Sequence, residues 1–163
     1  MENNRYYAPA TVDFEKLPGY PSIERMEKGP VAVVECNQNI PCNPCENVCP
    51  KGAIKVGNPI TNLPNLEENL CVGCGLCVAA CPGQAIFLID MSFKADKALV
   101  AFPYEYYPTP EKGDEVNVVD RNGKVIGKGN INKVMITEKF DHTNVVWVEV
   151  DKEIAREVHF IEV

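Results

Sequence analysis

Positive charge is scarce in this chain. Its 16 Lys and Arg stand against 23 Asp and Glu, a formal net charge of -7 at pH 7. A surface with that balance does not attract a phosphate backbone, so non-specific nucleic-acid binding is not expected. Long apolar runs are missing too; no stretch approaches the roughly eighteen uninterrupted apolar residues of a membrane span. The opening Met1-Glu-Asn-Asn-Arg-Tyr-Tyr7 lacks the basic-then-apolar layout of a secretory signal, which predicts a cytoplasmic protein. There are only two histidines, His142 and His159. Neither sits in a partner motif, so both are expected to be ordinary surface or core residues. No nucleophile triad, Gly-rich phosphate loop or paired catalytic carboxylates stand in a recognisable setting, and Gly127-Lys-Gly129 is too little for a nucleotide site. At 45% hydrophobic and 24% charged, the composition excludes wholesale disorder, collagen and coiled coil. A length of 163 residues is room for one ordinary domain or two small ones.

What is abundant is cysteine, and only in one place. The eight cysteines are Cys36, Cys42, Cys45, Cys49, Cys71, Cys74, Cys77 and Cys81. A disulfide framework would staple a chain along its length and needs an oxidising compartment. A dense block in a chain without a signal reads instead as metal ligation. The block is also a duplication. One shift of 32 residues carries Cys42, Cys45, Cys49, Pro50, Ala53 and Ile54 onto Cys74, Cys77, Cys81, Pro82, Ala85 and Ile86.

Around the block the chain divides into segments. Residues 1–29, with Pro9, Pro18, Gly19, Pro21 and Gly29, read as an extended arm. Val31-Ala-Val-Val-Glu-Cys36 is a β-branched run and predicts a strand entering the block, which runs over 30–90. Residues 91–113, rich in proline and aromatics, read as a connector. From Asp114 the pattern is that of a small antiparallel β domain. Asp120-Arg-Asn-Gly123 signals a hairpin turn, Val125 to Thr137 a strand with a bulge or bend at Gly127 and Gly129. Val145 to Val150 predicts a strand with Trp147 on the face opposite Val146, Val148 and Val150. Residues 152–158 predict one or two helical turns with Ile154 and Val158 on a shared face, and His159 to Val163 a last strand. Trp147 with Tyr104, Tyr106 and Tyr107 is either an interface patch or ordinary packing.

The second copy reads Cys71-Val-Gly-Cys74-Gly-Leu-Cys77-Val-Ala-Ala-Cys81-Pro82. This is the C-x2-C-x2-C-x3-C-P run of bacterial iron–sulfur proteins, in which three close cysteines wrap one cluster and the fourth is carried to another. Zinc sites show two separated C-x2-C knuckles, which this spacing does not resemble. The first copy, Cys36-x5-Cys42-x2-Cys45-x3-Cys49-Pro50, has its first cysteine three positions early, with Asn39 in the repeat position. The loop over residues 37–41 must fold back for Cys36 to reach a cluster. Gly73 and Gly75 are expected to let amides approach sulfur, and Ile40, Ile54, Val72 and Ile86 to wrap the site in apolar surface.

Over residues 30–90 the chain resembles the two-[4Fe-4S] ferredoxin family. The resemblance implies an α+β fold with pseudo-twofold symmetry and two [4Fe-4S] clusters with crossed ligation. Cys36, Cys42, Cys45 and Cys81 would hold one cluster; Cys71, Cys74, Cys77 and Cys49 would hold the other. The early Cys36 leaves open whether the first is [4Fe-4S] or [3Fe-4S]. More narrowly, Gly29-Pro-Val-Ala-Val-Val-Glu-Cys36 and Ile40-Pro-Cys-Asn-Pro-Cys-Glu-Asn-Val-Cys-Pro-Lys-Gly-Ala-Ile54 resemble the ferredoxin-type subunits of flavin-dependent amino-acid dehydrogenases of the proline, hydroxyproline, opine or sarcosine type. That implies a non-catalytic electron-transfer subunit in a hetero-oligomer with flavoprotein partners. The alternatives are a free soluble ferredoxin and a module whose clusters are structural or sense redox state.

Overall fold

A computed structural model describes residues 12–162. Residues 1–11 of the expected arm, and Val163 at the end of the expected last strand, lie outside the described residues.

The β-branched run does form a strand, β1 (Val31–Val34), buried at every position. Two short helices follow the cysteine spacing, α2 (Pro44–Val48) and α3 (Leu76–Ala80), α1 being Ile23–Met26. Between α2 and α3 a small hairpin pairs β2 (Ile54–Lys55) with β3 (Asn65–Leu66). After α3, β4 (Ile86–Asp90) returns antiparallel to β1, Val34 opposite Ile86 and Val31 opposite Ile89.

The sheet does not stop there. β5 (Lys97–Tyr104), β6 (Glu115–Val119), β7 (Val125–Met135), β8 (Asn144–Asp151) and β9 (Phe160–Ile161) extend it to seven strands, ordered β1-β4-β5-β8-β7-β6-β9 with every pairing antiparallel. The β-rich tail and the cysteine block therefore share one sheet, joined at β4–β5.

Strand β5 lies inside 91–113, where a connector is expected. From Ala98 to Tyr104 it is buried throughout. A strand covered on both faces reads as an unbroken apolar run without alternation, and Pro103, a residue rare inside sheets, masks it further. The arm is corrected in the same way over its described part. Met26 of α1 is fully buried, and its carbonyl accepts from Met91 N–H at 2.9 Å.

The Asn-Gly hairpin forms where expected. Asp120 Oδ1 accepts from the N–H groups of Asn122 and Lys124 at 2.8 and 2.9 Å, closing the β6–β7 turn. Gly127 and Gly129 are required for close packing. A Cβ at Gly129 would lie 2.4 Å from Val148 Cγ1, and one at Gly127 2.6 Å from Ile154 Cδ1. The register shifts fall opposite Val118/Val119 and between Ile131 and Lys133. Residues 152–158 make i→i+3 turn bonds and no helix, burying Ala155 and Val158. Trp147 is buried, with its Nε1–H donating to Met135 Sδ at 3.2 Å, so it belongs to the packing. Among the described residues no helix is long and apolar enough to cross a membrane.

Candidate iron–sulfur site

The two copies of the repeat fold alike. Each short helix carries the third of the four spaced cysteines, Cys45 in α2 and Cys77 in α3, and both are buried. Each helix is ended by the last cysteine of its copy in extended backbone, Cys49 at φ -74, ψ 107 and Cys81 at φ -74, ψ 110. Pro50 and Pro82 then turn the chain away, since proline cannot continue the helix. Four residues beyond each of these cysteines an amide returns to its sulfur. Ala53 N–H donates to Cys49 Sγ at 3.2 Å, and Ala85 N–H to Cys81 Sγ at 3.4 Å.

The same alanines carry a second matched contact. The Ala53 carbonyl accepts from Glu67 N–H at 2.7 Å, and the Ala85 carbonyl from Glu35 N–H at 2.8 Å. Glu35 and Glu67 are themselves one repeat apart. This explains the early first cysteine. In the second copy Cys71 follows Glu67 by four residues, whereas Cys36 follows Glu35 directly. Asn39, in the repeat position of Cys71, is occupied elsewhere, its Nδ2–H donating to the Thr61 carbonyl at 2.9 Å.

Cys49 of the first copy lines one cavity with Cys71, Cys74 and Cys77 of the second, walled by Ile54 and Leu88. On the other side, burial pushes the Cys36 thiol up, and Cys81 and Cys42 push it further. Burial and the same two neighbours hold Cys45 at about 11. Cys77 is raised strongly by burial, then by Cys71, Cys74 and Cys49, with Cys45 adjoining. Cys49 is the exception. Burial opposes its ionisation, but the amides of Ala53, Lys51, Ile54 and Gly52 outweigh burial and draw its pKa below the ordinary thiol value. Thiols crowded this way cannot all ionise without cationic charge between them, and thiolate is the form that ligates metal.

Among the described residues no three His, Cys, Asp or Glu are arranged to hold a single metal ion. A polynuclear cluster asks for something else, one thiolate for each of several irons. The donor set fits such a cluster: soft sulfur ligands, apolar walls and amides aimed at sulfur.

The supporting shell differs from expectation. Ile54 and Ile86 are buried, but Ile40 and Val72 are 45% and 54% exposed, Val72 beside the exposed Cys74 at the cavity. Backbone N–H groups of Ala32, Ala53 and Ala85 donate to the sulfurs of Cys71, Cys49 and Cys81. Gly73 and Gly75 serve conformation, at φ +63 and φ +83. A Cβ at Gly73 would lie 2.6 Å from Pro30 Cβ and 2.7 Å from the Pro30 carbonyl oxygen. Gly73→Ala is therefore expected to cost at least about 1–2 kcal/mol from left-handed backbone alone, read as a lower thermal midpoint and reduced iron content. Gly83→Ala, with open space around it and ordinary φ, is the silent control.

Two polar groups were not legible as site residues. Arg25 of α1 donates to the carbonyls of Glu68, Gly29, Pro30 and Cys71, the last at 2.6 Å, and so holds the Cys71 loop. His159, expected to stand alone, lies against Glu35 and Arg121, its Nε2 3.0 Å from Glu35 Oε2. Burial raises the Glu35 pKa, but hydrogen bonds and charge from His159 and Arg121 outweigh it and leave the carboxyl below its ordinary value. A long-range cluster of this kind leaves no spacing signal. The one clue was the shared offset of Glu35 and Glu67.

Residues 35–91 match the model of the LdpA Fe-S cluster-binding domain. The chain is 32% identical over 102 residues to a translation initiation factor, rli1, of Schizosaccharomyces pombe, covering 56% of this chain and 17% of that protein. It is 34% identical over 80 residues to an uncharacterized ferredoxin of Methanocaldococcus jannaschii, covering 44% of this chain and 46% of the relative. It is also 39% identical over 54 residues to protein NrfC of Escherichia coli, covering 33% and 24%. The chain thus spans less than half the length of these relatives. No solved structure matches it.

Proposed function

We propose that this chain, an iron–sulfur protein of the ferredoxin family with an electron-transfer role, relays single electrons through two [4Fe-4S] clusters as a subunit of a larger flavin-containing amino-acid dehydrogenase. The observation that carries the two-cluster reading is the cavity in which Cys49 of one copy meets Cys71, Cys74 and Cys77 of the other. Cys36, Cys42, Cys45 and Cys81 would hold the second centre. Bound there, the clusters supply reversible one-electron chemistry at potentials set by hydrogen bonding and exposure. The protein residues hold that chemistry in place. The Ala53 amide favours the thiolate form of Cys49, and the Ala85 N–H donates to Cys81 Sγ. Ile54 and Leu88 keep water from one cavity, and Cys74 is the exposed edge a partner can approach. No substrate bond is changed by this chain.

The subunit reading is supported by the sheet built onto the cluster block and by the resemblance of residues 29–54 to dehydrogenase-associated ferredoxin subunits. Anaerobic purification of the tagged protein from its native host is expected to yield a stoichiometric complex with a flavin-bearing chain. In that complex Cys74→Ser should block electron flow to the terminal acceptor while flavin reduction by substrate survives. Continued flow through the variant would refute the relay, and a monodisperse monomer would refute the subunit reading in favour of a free carrier. The match to a translation initiation factor over more than half of this chain favours a second reading, an iron–sulfur module that binds or regulates. Clusters that no flavoprotein or dithionite reduces would support it.

A further inference from the structure

We infer that Arg121 and His159, from the segment beyond the cysteine block, are positioning residues that fix Cys36 at its cluster through Glu35. The inference rests on the reading of Cys36 as a ligand and extends it to the role of the C-terminal segment.

Cys36 is the ligand that the repeat does not place. Its neighbour Glu35 is the one buried charged residue among the described residues, at 6% exposure. An ionised carboxylate is buried only when partnered. Arg121 Nη2 donates to Glu35 Oε2, and the same nitrogen lies 2.9 Å from His159 Nε2. His159 Nδ1 faces the Glu157 carbonyl at 2.8 Å, and His159 N–H donates to the Val119 carbonyl at 2.9 Å. Packing restrains both partners. The guanidinium lies 3.5 Å over the Phe14 ring, and the imidazole meets Phe87 edge-on with centroids 5.0 Å apart.

Glu35 is thus held from two sides. Its N–H is bonded to the Ala85 carbonyl, and Ala85 N–H is bonded to Cys81 Sγ. Its side chain is bonded to the β6–β7 turn and to the residue before β9. With backbone and side chain both fixed, the chain leaves β1 in one direction, and the next residue is delivered beside Cys81. The second copy shows why this is needed. Glu67 makes the matching backbone bond to Ala53, yet its side chain is exposed. There the first cysteine lies further on, and Arg25 holds its carbonyl instead. Each first cysteine is held from a flank, Cys71 by the residues before the block and Cys36 by those after it.

The test uses the full-length holoprotein purified without oxygen, with iron and sulfide content, low-temperature spin resonance, and the rate of cluster loss in air. Arg121→Gln keeps a neutral donor beside Glu35. The double variant Glu35→Met with Arg121→Met replaces the pair by apolar side chains, an exchange buried ion pairs commonly tolerate. The double variant is expected to keep the thermal midpoint near that of the parent, whereas Arg121→Gln is expected to lower it. Both should lose iron from one cluster several-fold faster in air, giving the altered spectrum of Cys36→Ser. Arg25→Met is expected to perturb the other cluster, a distinction general destabilisation would not make. Parent-like spectra and iron loss in both variants, with Cys36→Ser altered, would overturn the positioning role alone. If Cys36→Ser itself matched the parent, the ligand assignment would be wrong and this inference with it. Equal loss of both clusters in the variants would also overturn it.

Discussion

Cys49→Ser is expected to strip or convert the cluster held by Cys71, Cys74 and Cys77, leaving the cluster of its own neighbours, Cys42 and Cys45, spectroscopically intact. The expectation follows from placement. Cys49 ends α2 in extended backbone and enters the cavity lined by the second copy's cysteines. It is also the thiol that surrounding amides draw towards ionisation, which matches a ligand. Serine keeps the volume and removes the soft donor. Spin resonance with iron counting reads the outcome. The mirror variant, Cys81→Ser, should affect the cluster of Cys36, Cys42 and Cys45. If each substitution damaged the cluster of its own copy, crossed ligation would be wrong and the duplication would be two independent sites. The block shares an apolar core with the sheet, and both short helices carry cysteines, so metal binding is expected to add to its folding free energy beyond that core. Iron chelation should therefore loosen the chain well beyond the ligands.

Phe102→Ala is expected to produce the largest loss of stability, about 3–5 kcal/mol for a fully buried aromatic. Phe102 has no exposure and packs against Phe160 at 5.0 Å between ring centroids. It lies on β5, the strand between the cysteine block's β4 and the tail's β8. The cavity therefore opens at the seam, and iron retention should fall together with the thermal midpoint. For a chain of this size the midpoint should drop by roughly 6–20 °C, measured on anaerobic holoprotein. Tyr107→Ala is the control. Its ring is 94% exposed, and its removal is expected to leave the midpoint unchanged. A Phe102→Ala protein as stable as the parent would show that β5 is not the joint between the two parts.

Ligand spacing is a local property, and what was local was legible. A cluster demands thiolates a few residues apart, so the C-x2-C-x2-C-x3-C-P spacing of Cys71, Cys74, Cys77 and Cys81 stands out in one line of sequence. The duplication, the strand into the block and the Asp120–Gly123 turn were legible for the same reason: repeat offset, β-branching and turn chemistry act over a few residues. β5 was hidden because a doubly buried strand loses its alternation. The placing of Glu35 with Arg121 and His159, the hold of Arg25 on the Cys71 loop, and the continuation of the cluster block into a seven-stranded sheet were decided only by tertiary structure. Each joins residues far apart in the chain, and side chains that meet only after folding leave no period or spacing to read.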